Sequence, residues 1–78
     1  MTPEDTRIAE ALMDLAHRRS TARSFCPSEA ARALSEDWHA VMPEVRRVAA
    51  TLPLVATQKA APVDPVTARG PNRLRLAP

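Results

Sequence analysis

Residues 27–58 read PSEAARALSEDWHAVMPEVRRVAATLPLVATQ, and they carry two short helical patterns followed by a β-type run. Pro27-Ser28-Glu29 opens the first helix, which we place at 28–34 with Ser28 as its N-cap and Glu29 in its first turn. A second helix follows after a brief polar turn. Leu54–Gln58 then has the composition of a strand. Two short helices joined by a tight turn and followed by a strand predict a helix-turn-helix.

Pro43 governs how the second of these helices is read. Inside a helix it would remove one hydrogen bond and its ring would clash with the carbonyl of His39. We therefore expect Ser35 to cap a short helical turn at 36–41, and the main helix to begin at Pro43 and end near Thr51. A single kinked helix is the alternative. Pro53 marks the end in either case, because the residue before a proline avoids the helical region.

The flanking segments complete the pattern. An amphipathic helix is expected at about 3–19, with an apolar stripe at i, i+4 and i+7, and a short strand at 24–26. Residues 72–76 alternate leucine and arginine as a strand does, and 59–71 form a long, proline-containing loop. The prediction is a single α+β domain over 1–78, a winged helix-turn-helix with three helices and a two- or three-stranded β-wing. Its expected core comprises Ile8, Leu12, Leu15, Phe25, Leu34, Trp38, Val45, Val48, Leu52 and Leu74.

The charge of the chain is small but unevenly divided. The net charge is +2 over 78 residues. Residues 1–45 hold five arginines and eight acids, which gives −3, whereas residues 46–78 hold six basic residues and one acid, which gives +5. A basic face on an acidic body is typical of proteins that meet polyanions. Arginines that merely solubilise a surface would give the same numbers.

Six basic residues of the second half are the candidate nucleic-acid contacts. Two project from the third helix, where arginine can read guanine in the major groove. The others lie in or beside the wing, where they can contact phosphates. Two alternatives stay open: Glu44 pairs with the helix arginines, or Asp64 pairs with Arg69 or Arg73 to pin the loop. The candidates are Arg46, Arg47, Lys59, Arg69, Arg73 and Arg75.

Other chemistry finds little support in the residues. Cys26, His17 and His39 match no zinc-ligand spacing, and Cys26 is more simply a small apolar residue. We expect no metal, no cofactor, no catalytic residue and no enzymatic activity. The single cysteine fits a reducing cytoplasm, and no apolar run approaches the ~20 residues of a membrane span.

Several segments together are distinctive. Ser24 through Leu34, Trp38 through Arg46, Gln58-Lys59, Pro62 through Pro65 and Ala68 through Pro71 resemble a small bacterial family, domain of unknown function 3253. The resemblance covers about residues 8–76 and implies a winged-helix-like fold, with no established activity to carry over.

The chain departs from the family pattern in two places. Glycines are expected near the end of the third helix and after Gln58-Lys59, where Pro53-Leu54 and Ala60-Ala61 stand. Asn72 occupies a position where an apolar residue is expected. The geometry at the start of the wing and of the last strand is the point to examine.

Two functions follow as hypotheses. The first is a module that binds double-stranded DNA with the third helix and the wing. The second is a protein-interaction or homodimerisation module without nucleic-acid binding, since a charge of +2 is weak for a DNA-binding domain. An exposed apolar patch would favour the second, and clustering of the six basic side chains the first.

Overall fold

The computed structural model describes residues 3–19, 23–68, 70 and 72–78. Within them lie three helices, α1 (Pro3–Arg19), α2 (Pro27–Leu34) and α3 (Trp38–Ala49). Three strands follow, β1 (Leu54–Gln58), β2 (Ala61–Pro62) and β3 (Arg73–Leu76). The strands form one antiparallel sheet in the order β2-β1-β3. The predicted α+β class with three helices and a small sheet is confirmed.

The expected short strand at 24–26 is reduced to one bridge. Phe25 exchanges two backbone hydrogen bonds with Leu74, of 2.7 and 2.8 Å, on the edge of β3 that β1 does not use. The chain therefore runs helix, bridge, helix, helix, strand, wing, strand, with β3 between the bridge and β1. This is the layout of a winged helix.

One apolar core joins the helices to the inner face of the sheet. The fully enclosed side chains include Leu12, Phe25 and Leu74, and α1 packs directly on β3. The expected core is contiguous, but Leu15, Leu34, Trp38 and Leu52 lie at its margin, partly buried. On α1 the third enclosed position is Ala16 instead of Leu15, so the buried face is turned by one residue. The buried hydrophobic residues are Ile8, Leu12, Ala16, Phe25, Ala30, Ala31, Val45, Val48, Ala49, Ala56 and Leu74.

The start of α2 differs from the prediction by one residue. Cys26, and not Ser28, is the N-cap, and Pro27 occupies the first helical position. The Cys26 N–H donates to Glu29 Oε2 at 2.9 Å, which is the carboxylate half of a capping box. The reason is that proline has no N–H to lose at this position and its fixed φ suits a first turn.

The prediction that Pro43 begins a helix is wrong. Helix α3 is continuous from Trp38, with Pro43 inside it and Asp37 as its N-cap. Ser35 instead ends α2, and its hydroxyl accepts a 3.1 Å hydrogen bond from the Asp37 N–H. Because Pro43 lies in the second turn, it removes a single bond, the one to His39, and the rest of the helix holds through the burial of Val45 and Val48.

The loop after β1 contains a tight hairpin that the sequence did not predict. Lys59 and Ala60 both have positive φ, 52° and 66°, and β2 pairs back on the end of β1. Two successive residues with positive φ are the geometry of a type I′ turn, for which glycine and asparagine are usual. The expectation of an irregular loop throughout 59–71 therefore fails at its first four residues.

Candidate nucleic-acid interface

Arg47 is tied into the helical layer. Its Nε donates to Glu44 Oε2 at 2.8 Å, and its Nη1 donates to Asp5 Oδ2, near the start of α1, at 3.2 Å. These hydrogen bonds and the two negative charges raise the pKa of Arg47 above its usual value. The alternative that Glu44 pairs with an arginine of this helix is confirmed, with Asp5 as a second partner. Two carboxylates therefore oppose any use of Arg47 in a major groove.

Arg46 turns toward the wing. Its Nη1 lies 3.5 Å from the carbonyl oxygen of Ala68, and its Nε is buried with no hydrogen-bond partner in the part of the chain that the structure describes. The side chain is partly covered, and it lines a cavity of about 410 Å³ together with His39, Met42, Pro43 and Val66. Arg46 is thus a partly buried cation under the loop, and its side chain is not free on α3 to contact base edges.

Arg73 and Arg75 share the outer face of the sheet. Alternation along β3 puts Leu74 into the core and both arginines on the opposite side of the strand. Arg73 donates from Nε and Nη2 to the hydroxyl and carbonyl oxygens of Ser24, both at 2.8 Å. Since Ser24 is neutral, these bonds fix the guanidinium without cancelling its charge. Arg75 is half-buried and has no carboxylate partner in the described part of the chain.

Lys59 extends this group at the tip of the hairpin. It is exposed, and it lines a cavity of about 360 Å³ with Cys26, Gln58, Asn72 and Arg73. No acidic residue lines that cavity. Lys59 and Arg73 therefore lie on a common, positively charged rim.

Two predictions about the loop remain: the nucleic-acid contact by Arg69, and the pairing of Asp64 with Arg69 or Arg73. Arg69 lies outside the described residues. Asp64 does not pair with Arg73: its Oδ1 accepts from the Val66 N–H at 2.8 Å, and its carbonyl accepts from the Ala68 N–H at 2.9 Å. The loop is thus held by its own backbone in an Asx turn.

The structure brings together only part of the predicted set. Lys59, Arg73 and Arg75 form one group, which we call the sheet cations. Arg46 and Arg47 belong to α3 and are occupied by the wing and by α1. The sequence predicted a single surface made of helix and wing, but the structure divides it in two. The reason is that both helix arginines contact residues far away in the sequence, Arg46 at Ala68 and Arg47 at Asp5.

Glu29 has a lowered pKa, and one of the sheet cations, Arg73, contributes to this shift. Burial alone would raise the pKa of Glu29, but the Cys26 N–H, the Arg19 guanidinium at 2.7 Å and the charge of Arg73 together lower it. The carboxylate is therefore held ionised at the start of α2.

Asn72 belongs to this region but was not among the site residues predicted from the sequence. Asn72 is 2% exposed, and neither its Nδ2 nor its Oδ1 has a hydrogen-bond partner among the described residues. The signal was present in the sequence as a polar residue where the strand pattern called for an apolar one. Only the fold shows that this amide lies beside Lys59 and Arg73.

Neither a metal cluster nor a membrane span is found in the parts of the chain that the structure describes. No three His, Cys, Asp or Glu side chains come together there as metal ligands would. None of the helices there has the length and hydropathy needed to cross a bilayer.

A family model described as "Protein of unknown function (DUF3253)" matches residues 5–77. The chain belongs to this family. No curated protein matches it. In this DUF3253 chain, Ala60 lies in the left-handed region at the position after Gln58-Lys59 where the sequence led us to expect a glycine. The departure noted in the sequence is therefore a point of backbone strain.

Proposed function

We propose that this DUF3253 domain binds double-stranded DNA through its phosphate backbone, using the sheet cations instead of helix α3. The observation that carries the proposal is the contrast in pairing. Arg47 meets two carboxylates, whereas Lys59 and Arg75 pair with none among the described residues, and Arg73 hydrogen-bonds to the neutral oxygens of Ser24 while its charge also acts on Glu29.

Cations that have no carboxylate partner and share one face of a protein favour binding to a phosphate backbone. Each phosphate contact releases counterions and gives affinity without sequence information. Arg73 is already oriented by Ser24, so little side-chain entropy is lost when it binds an oxyanion. Arg69, which precedes β3 in the sequence, is the fourth basic residue that we propose for phosphate contact.

The affinity expected from so few contacts is low. For a monomer we expect a Kd of about 10⁻⁴–10⁻⁶ M at physiological salt, with little dependence on sequence. Three or four phosphate contacts should give a slope of log K against log salt of about −3 to −4.

The test is fluorescence anisotropy with a random-sequence duplex at several salt concentrations. Arg75→Gln and Lys59→Gln should each weaken binding and reduce the slope by about one. Arg18→Gln is the matched control, because it removes the same charge from an exposed arginine that pairs with Asp14 on α1. Undetectable duplex binding at low salt, or equal losses in the control and the sheet variants, would refute the proposal.

A second candidate is self-association through the α3–wing surface. Val66 is 50% exposed, the only large hydrophobic residue so exposed among those described, and it borders the cavity that Met42 and Pro43 line. Sedimentation velocity over a wide concentration range tests this function. Dimerisation that Val66→Ser abolishes would support it, and a monomer at all concentrations would exclude it.

A further inference from the structure

Asn72 carries a buried amide whose two polar atoms have no partner in the described part of the chain. It is 2% exposed, and both Nδ2 and Oδ1 lack a hydrogen bond there. Leaving such a group unpaired costs about 1–3 kcal/mol, whereas an apolar residue of similar size would cost nothing of the kind. An unpaired buried amide immediately before β3, where the sequence pattern calls for an apolar residue, points to a partner from outside the chain.

The cavity beside Asn72 has the charge for a particular class of ligand. It measures about 360 Å³ and is lined by Cys26, Gln58, Lys59, Asn72 and Arg73. Both charged residues are cations, and Arg73 is held in place by Ser24. Two cations close to each other favour a phosphate group, which accepts several charge-assisted hydrogen bonds.

The amide supplies the other half of the recognition. A carboxamide presents a donor and an acceptor side by side, which matches the paired groups on a nucleobase edge, as when asparagine binds adenine. The volume lies at the low end of the ~300–1,000 Å³ usual for small-molecule sites. Amide, cations and volume together fit one base with one phosphate.

We propose that this cavity binds a single nucleotide, with the base edge on the Asn72 amide and the phosphate on Lys59 and Arg73. The nucleotide can be free or an unpaired residue of a strand. The site does not require duplex binding at the outer face of the sheet, although it shares Lys59 and Arg73 with that proposed function.

The experiment is a titration of the ¹⁵N-labelled protein with adenosine monophosphate, and separately with inorganic phosphate, followed by NMR. The monophosphate should bind at least ~10-fold more tightly than phosphate and shift the Asn72 side-chain amide signals. Asn72→Leu should weaken the monophosphate by at least ~10-fold, leave phosphate binding unchanged and raise the melting temperature.

Two further variants keep the test decisive if Asn72→Leu folds poorly. Lys59→Gln, in an exposed turn, should weaken adenosine monophosphate and phosphate alike. Arg18→Gln, on α1, should weaken neither. A trideoxyadenylate strand compared with the free monophosphate identifies the source, since a strand ligand should bind more tightly than the free nucleotide.

The outcomes separate this proposal from the duplex-binding function. If the monophosphate binds no better than phosphate, or if Asn72→Leu leaves its affinity unchanged, the amide is served by an ordered water and the nucleotide site is refuted. Normal salt-dependent duplex binding with that result would leave the duplex-binding function standing. Nucleotide binding without any duplex binding would refute only the latter.

Discussion

At the scale of single residues, Ala60 has a backbone conformation that is poorly suited to its side chain. Its φ of 66° follows the φ of 52° at Lys59, and both lie in the left-handed region. A Cβ atom in that region meets the neighbouring carbonyl, which costs roughly 1–2 kcal/mol for a residue other than glycine. The hairpin nevertheless forms, because Thr57 and Gln58 pair with β2 on its other side.

Ala60→Gly should therefore stabilise the domain by about 1 kcal/mol, since the relief of strain exceeds the added entropy of the unfolded chain. Urea denaturation measures the change. Ala61→Gly is the matched control: it lies one residue on, in β2, where glycine brings no relief and should be neutral or destabilising. A variant at position 60 no more stable than the wild type would contradict the turn geometry.

At the level of the elements, the start of α2 depends on one carboxylate. Glu29 accepts the Cys26 N–H and pairs with Arg19, so it joins the helix start to the end of α1. Its pKa is lowered from an ordinary value near 4.5, so the unfolded chain takes up its proton at a higher pH than the folded one. The stability that this group contributes is present above pH ~4.5 and is lost as the pH falls through the folded-state pKa.

Glu29→Gln should consequently lower the melting temperature by more at pH ~7 than at pH ~3, because the wild-type carboxylate takes up its proton as the pH falls. Thermal melts of both proteins at the two pH values provide the comparison. The control is Glu36→Gln, because Glu36 is an exposed acid without an ion pair in the described chain. For this variant, the difference in melting temperature from the wild type should not shrink at the lower pH. A constant difference at both pH values would mean that Glu29 acts through packing and not through its charge.

Helix α3 carries a proline that it does not need for its fold. Pro43 leaves the carbonyl of His39 without its helical donor, while the apolar face of the same helix is enclosed. Pro43→Ala restores that N–H and should stabilise the domain by about 1–3 kcal/mol. Chemical denaturation tests this expectation, with Pro53→Ala, beyond the end of the helix, as the control. Equal or lower stability of the position-43 variant would show that the helix gains from the fixed φ of proline.

For the molecule as a whole, the core rather than surface charge carries the stability. A 78-residue domain buries only ~60% of the surface that its unfolded chain exposes, so each enclosed side chain matters. Leu12 is fully enclosed, whereas Leu15 on the same helix lies at the margin. The two leucines offer a comparison in which the chemistry is the same and only the burial differs.

Leu12→Ala should destabilise the domain by about 2–5 kcal/mol, and Leu15→Ala by clearly less, because the second leaves no closed cavity. Unfolding free energies from urea titration decide the order. The reverse order would place the buried face of α1 on the Leu15 side, as the stripe of Ile8, Leu12 and Leu15 in the sequence had suggested.

The sequence by itself determined α1, β1 and β3 and the order of the main elements, but not the hairpin that contains β2. The limits of α1 and β1 follow from apolar spacing, prolines and charges within each segment, and the leucine–arginine alternation fixes which side of β3 meets the core. These are local properties, in which neighbours three or four residues apart along a helix, or two apart along a strand, settle the outcome.

Only the tertiary structure determined which of the basic side chains pair with carboxylates. Asp5 is 42 residues from Arg47 along the chain, and Ser24 is 49 from Arg73, yet these pairs separate an occupied helix arginine from an oriented sheet arginine. It also decided that α3 continues through Pro43, because burial of Val45 and Val48 outweighs the loss of one hydrogen bond. The amide of Asn72 was visible in the sequence only as a misplaced polar residue. Its position beside two cations exists because β3, β1 and the start of α2 meet, and no local pattern encodes that meeting.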